Sequence, residues 1–169
     1  VIPNMDVISP CDALEAKKAT LSLAHSFRPA YLRLAREKTP VITTEETPYE
    51  IGKAETYWMP EVGMAQVGII VTGGLVSRAL FAAKELEQEG IKTKVLNLSS
   101  IKPLDADSIL KLAKETNALV TVEEHQVIGG MGSAVAEFIS DNYPVLVERV
   151  GVQDQFGQSG TPDELIEHY

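Results

Sequence analysis

Two patterns of apolar and polar positions alternate along most of the chain. "VGIIVTG", "KTKVLNL", "ALVTVE" and "VLVERVG" are short apolar runs of strand length. Between them the apolar residues recur at helical spacing. Val76, Ala79, Leu80, Ala83 and Leu86 share one face of "LVSRALFAAKELEQEG", and Gly90 supplies the position after the helix. Pro103-Leu104-Asp105 leads into a second helix with Ile109, Leu110 and Ala113 inward, and "SAVAEFIS" is a third. "TPDELIEHY" opens a fourth, with Thr161 as cap, Pro162 at the first position and Glu164 completing a capping box. Apolar strands separated by amphipathic helices predict a three-layer α/β/α unit with a mostly parallel sheet over residues 67–169.

The first 44 residues read differently. Met5, Val7 and Ile8 predict a strand. Ser9 as N-cap, Pro10 at the first helical position and Asp12 three residues after the cap predict a helix through Phe27. "PAYLRLAR" predicts a second strand. The result is one βαβ unit, which cannot bury both faces of its own sheet. It reads as the remnant of a second α/β domain, and the chain as part of a longer polypeptide. Residues 45–66, broken by Pro48, Gly52, Pro60 and Gly63, read as a linker, with an edge strand near Ile42 to Thr44.

Composition narrows the function classes. A net charge of −9 without a lysine–arginine cluster argues against nucleic acid. No apolar run approaches the roughly 20 residues of a membrane span. The single cysteine, Cys11, permits no internal disulfide and fits a cytoplasmic location.

Four stretches invite chemistry. Gly73-Gly74 and Gly129-Gly130-Met131-Gly132 both lead from strand into helix, where free N–H groups attract anions. Neither completes a dinucleotide or phosphate-loop pattern, so tight strand-to-helix packing is the favoured reading. Glu123, Glu124 and His125 stand at the carboxyl end of a strand, where ligands gather in α/β sheets. A Glu–His pair can move protons, yet no nucleophile or second metal ligand stands beside it; Glu124 and His125 are therefore candidates for a site or an interface. Arg33 and Arg36 lie where a strand gives way to a loop, and a guanidinium there suits a phosphate or carboxylate.

"MDVISPCDALEA", "PAYLRLAR", "VTGGLVSRALFAAKELEQEGIKTKVLNLSSIKPLD", "VTVEEHQVIGGMGSAVAE" and "RVGVQDQFGQSGTPDEL" together resemble the C-terminal part of transketolase-type enzymes. The resemblance is strongest to the C-terminal section of split archaeal and bacterial transketolases. It implies that residues 1–44 are the tail of a pyrimidine-binding domain and 67–169 a transketolase C-terminal domain, whose sheet includes one antiparallel strand. It implies transfer of two-carbon ketol units between sugar phosphates, with thiamine diphosphate and a divalent metal such as Mg in the complete enzyme. Neither cofactor nor catalytic residue is expected on this part. Expected partners are sugar-phosphate substrates and either a second copy or the N-terminal transketolase section. Arg36 matches the family's phosphate-binding arginine, and Arg33 is placed with it. Deoxyxylulose-phosphate synthases and 2-oxoacid dehydrogenase beta subunits are the alternatives within the superfamily. A non-catalytic assembly or regulatory module is the alternative outside it.

Overall fold

Consecutive residues of a strand point to opposite faces, and the central strand of this protein buries both. In β4 (Val67–Val71), Ile69 and Val71 join one apolar cluster while Ile70 joins the other. That doubly buried strand sits in the middle of a five-stranded sheet in the computed structural model, which describes residues 2–169. Residue 1, the first of the expected 1–44 unit, lies outside the described residues.

The sheet contains β3 (Glu55–Trp58), β4, β5 (Thr93–Asn97), β7 (Ala118–Gln126) and β8 (Leu146–Val152), in the order β3-β5-β4-β7-β8. All neighbours are parallel except β3, which runs antiparallel to β5. One face packs on α3 (Ala106–Thr116) and α4 (Met131–Asn142) through Ile70, Leu96, Ile109, Leu112, Met131 and Val135. The other packs on α2 (Val76–Gln88) through Ile69, Val71, Val76, Ala79, Ala83 and Val95. The predicted layers and the α2 face are both present. In α3, Ile109 and Ala113 are buried as expected, but Leu112 takes the deep position and Leu110 is only half-buried. The short α5 (Pro162–His168) starts with the predicted capping box, the Glu164 carboxylate accepting from the Thr161 N–H at 2.9 Å and hydroxyl at 2.7 Å.

At the other end, β1 (Asp6–Ile8), α1 (Ala13–Ala24) and β2 (Ala30–Leu32) form the expected strand–helix–strand, with β1 and β2 parallel. An unexpected strand, β6 (Ser100–Lys102), pairs antiparallel with the free side of β1 and gives the order β2-β1-β6. Three residues are too short to show a period, so the sequence carried no signal for it. β2 remains an open edge beside exposed Phe27, Tyr31 and Leu34.

Three expectations need correction, two of them for one reason. The N-cap of α1 is Asp12, not Ser9, and Pro10 lies before the helix. No strand forms near Ile42 to Thr44. Asp12 explains both: one carboxylate oxygen accepts from the Glu15 N–H at 2.9 Å and the other from the N–H groups of Ile42 and Thr43 at 2.8 and 2.7 Å. Those two donors are spent on a side chain and cannot serve a ladder. The edge strand is instead β3, inside the stretch expected as linker. The third correction is to "PAYLRLAR", which stays a strand only to Leu32 and leaves Arg36 four residues out in a loop.

Candidate functional site

Ligands of open parallel sheets gather beyond the carboxyl ends of the strands, so the chemistry there decides what this chain can hold. Leu119, Thr121 and Glu123 alternate onto the face of β7 that meets α3 and α4, and all three are buried. A buried carboxylate needs donors. Glu123 finds them at the start of α4: one oxygen accepts from the Met131 N–H at 2.6 Å, the other from the Gly132 N–H at 2.8 Å. The anion place that the glycine turn offers is therefore taken by the chain's own carboxylate. A methyl group on Gly130 would collide with Glu123 and stand 2.5 Å from the Gln126 carbonyl, so only glycine fits.

The other glycine turn is filled as well. Gly73, at φ 66°, brings its N–H to the Ser9 carbonyl at 3.2 Å. A Cβ on Gly73 would stand 2.9 Å from the Ser9 hydroxyl, and one on Gly74 3.0 Å from the Thr39 methyl. Both turns are seams where segments of this chain close on each other. Among the described residues, no three His, Cys, Asp or Glu side chains come together as a metal-ligand set.

Glu123, Glu124 and His125 do not form a turn, because β7 continues to Gln126. Its pairing with β8 slips between Val122 and Gln126, four steps on β7 facing two on β8 (Val150 to Val152). Glu123 still falls inward by alternation, and the bulge beyond it leaves the consecutive Glu124 and His125 both exposed. His125 places Nδ1 2.9 Å from the Gln126 carbonyl. Its ring does not pair with the Glu124 carboxylate in any hydrogen bond among the described residues, so no proton-transfer dyad is assembled.

The two arginines have separate fates. Arg33, half-buried, donates from Nη2 to the Glu124 carbonyl at 2.7 Å, while its own N–H reaches the Ile8 carbonyl at 2.8 Å. Arg36 is 95 % exposed, and its nearest charged partner is the adjacent Glu37 carboxylate at 3.7 Å. Arg33 thus joins the β7 bulge, and Arg36 keeps its hydrogen-bonding capacity.

A second polar cluster lies between α1 and the main sheet. Buried Glu15 accepts from the Cys11 N–H at 2.6 Å and from the Asn97 side-chain amide at 2.8 Å. Burial, then the negative charge of Glu15, pushes the Tyr49 phenol up to about 12 and keeps the Tyr57 phenol and the Cys11 thiol above their usual ranges. Cys11 stays a protonated thiol and is no nucleophile. Burial alone would raise the Asp12 carboxyl, but its hydrogen bonds from Glu15, Thr43 and Ile42 outweigh this and hold it below the usual value. Sequence reasoning missed the roles of two inward carboxylates, Asp12 as the true cap and Glu123 as the plug. The signal for Glu123 was parity: it shares a face with Leu119 and Thr121, so it cannot point to solvent.

Comparison with known proteins agrees with this geometry. The family described as transketolase, C-terminal domain, matches residues 57–169. The 6-deoxy-6-sulfo-D-fructose transketolase subunit SqwH of Clostridium sp. (strain MSTE9) is 40 % identical over 99 % of this chain and 51 % of its own length. A putative transketolase C-terminal section from Methanocaldococcus jannaschii is 39 % identical over 99 % of this chain and 52 % of its own. The chain therefore spans about half the length of the curated relatives it matches. A solved structure described as a split gene transketolase, inactive beta4 tetramer, superimposes with a TM-score of 0.94 at 41 % identity, covering 100 % of this chain and 54 % of that one. With the antiparallel β3, the filled glycine turns and these matches together, the chain belongs to the transketolase C-terminal domain family.

Proposed function

We propose that this chain is the C-terminal section of a thiamine diphosphate-dependent transketolase that moves two-carbon ketol units between sugar phosphates, and that Arg36 holds the substrate phosphate. The observation that carries the reading is the guanidinium of Arg36 on a loop beyond the carboxyl end of β2, where among the described residues no partner competes for it except the neighbouring Glu37. A sugar phosphate is dianionic near neutral pH, and a guanidinium grips it through two parallel hydrogen bonds.

The residues described here do not fit thiamine diphosphate or its Mg ion. Each glycine turn is occupied by the chain's own atoms, and the acidic residues nearest the helix starts are already spent on backbone N–H groups. The cofactor chemistry, including the activating glutamate, is assigned to the rest of the complete enzyme. Residues 1–44 complete the pyrimidine-binding domain there, and the open edge of β2 is covered by the N-terminal section or by a second copy. Alone, the chain does not turn over. It acts in the cytoplasm.

The test is Arg36→Ala in the complete enzyme. Losing a charge-assisted grip of about 2–3 kcal/mol raises the Michaelis constant for phosphorylated substrates roughly 30- to 150-fold. Turnover at saturation changes little, because the phosphate is remote from the reacting carbon. Unphosphorylated hydroxypyruvate is unaffected. An equal relative loss on both substrate types would make Arg36 structural.

A further inference from the structure

Among the described residues, the backbone of the loop carrying Arg36 is hydrogen-bonded at its two ends and nowhere between. Among the described residues, no hydrogen bond from the backbone N–H groups of residues 34–41 is formed within the chain. On the near side stands Arg33, held by its N–H to Ile8 and by its guanidinium to the Glu124 carbonyl at 2.7 Å. On the far side the Asp12 carboxylate takes the N–H groups of Ile42 and Thr43. Thr39 rests over the Gly73-Gly74 turn. Eight residues between two clamps sweep a wide volume if either clamp opens.

The geometry points to Arg33 as a positioning residue: by tying the strand end to the bulge of β7, it sets where Arg36 presents its guanidinium. This assignment rests on the phosphate-binding reading of Arg36 for its consequence, though not for its geometry. The acceptor is a main-chain oxygen, 91 residues away in sequence, inside a bulge that no side-chain substitution at Glu124 removes. One hydrogen bond to one carbonyl needs a cation of the right reach and not a planar fork. Arg33 is therefore replaceable by lysine, whereas a bidentate phosphate ligand is not.

Two measurements separate these roles. In the complete enzyme, Arg33→Ala raises the Michaelis constant for phosphorylated substrates about tenfold, leaves turnover and hydroxypyruvate kinetics unchanged, and is largely rescued by Arg33→Lys. In an Arg36→Ala background the same change adds nothing, because the group it positions is gone. A full multiplicative loss in the double variant, or no rescue by lysine, overturns the assignment and makes Arg33 a phosphate ligand in its own right. The second readout does not depend on substrate. In the full chain, cleavage after Glu37 by a glutamate-specific protease accelerates about fivefold to tenfold in Arg33→Ala and not in Arg33→Lys, with cleavage after Glu115 as the folding control. Unchanged cleavage after Glu37 overturns the positioning role even if Arg36 does bind phosphate. A failed Arg36→Ala test with accelerated cleavage leaves the clamp standing and removes only the phosphate.

Discussion

The turn from β7 into α4 and the loop after β2 are near neighbours, joined by Arg33, and they are opposites. The first has three glycines, follows a strand end with a glutamate pair and a histidine, and has the composition of a site. Its strongest donors, the N–H groups of Met131 and Gly132, are consumed by Glu123, and the Ser133 hydroxyl ties the Gly129 N–H at 2.9 Å to the Val127 carbonyl at 2.8 Å. The loop has an unremarkable composition, yet it carries a guanidinium with capacity to spare. Binding capacity is what a fold leaves unsatisfied, and a motif cannot report that by itself.

The comparison breaks most visibly at Glu123. Alanine there strands two buried N–H groups and removes two charge-assisted hydrogen bonds, a loss of about 3–4 kcal/mol. Urea denaturation of the chain measures it directly. If the turn were instead a ligand site with Glu123 as an incidental neighbour, the variant would gain affinity for inorganic phosphate at little cost in stability. Gly130→Ala comes next. Its methyl group would push on Glu123 and the Gln126 carbonyl, both fixed, and overpacking of this kind costs about 2–3 kcal/mol. A neutral result would mean that the turn is looser than its contacts imply.

Much of this architecture was legible in advance, and the parts that were not share a cause. Ile69-Ile70-Val71 is an unbroken apolar run, which only a strand covered on both sides requires, so the central sheet and its flanking helices could be read directly. β3 could not. "ETYW" is half-buried throughout, at the sheet edge, and shows no clean alternation. β6 is three residues that exist because β1 offers an edge. Whether Ser9 or Asp12 caps α1 depends on where residues 42 and 43 return, about 30 residues later, and local spacing holds no record of that. The same limit applies to the site. Arg33 and Arg36 are placed together by the expected strand end and by the family resemblance. Their separation into a clamp and a free group is decided by a carbonyl on a strand 91 residues away.

The smallest expected effect sharpens the far clamp of the loop. The Asp12 carboxyl is held below its usual value although burial opposes this, because hydrogen bonds from Glu15, Thr43 and Ile42 favour the charged form. A carboxyl lowered by folding stabilises the fold above its unfolded value and loses that contribution as pH falls through its folded one. The relevant window therefore lies below about pH 4. Asp12→Asn keeps a good N-cap but removes the charge, so it should cost about 1 kcal/mol at pH 7 and progressively less as the pH falls below about 4. Thermal denaturation of both proteins across that range gives the difference curve. If the clamp works as the geometry has it, the two curves converge on acidification. Parallel curves would mean that the hydrogen bonds from Ile42 and Thr43 are indifferent to the charge of their acceptor, leaving Arg33 as the one clamp that matters.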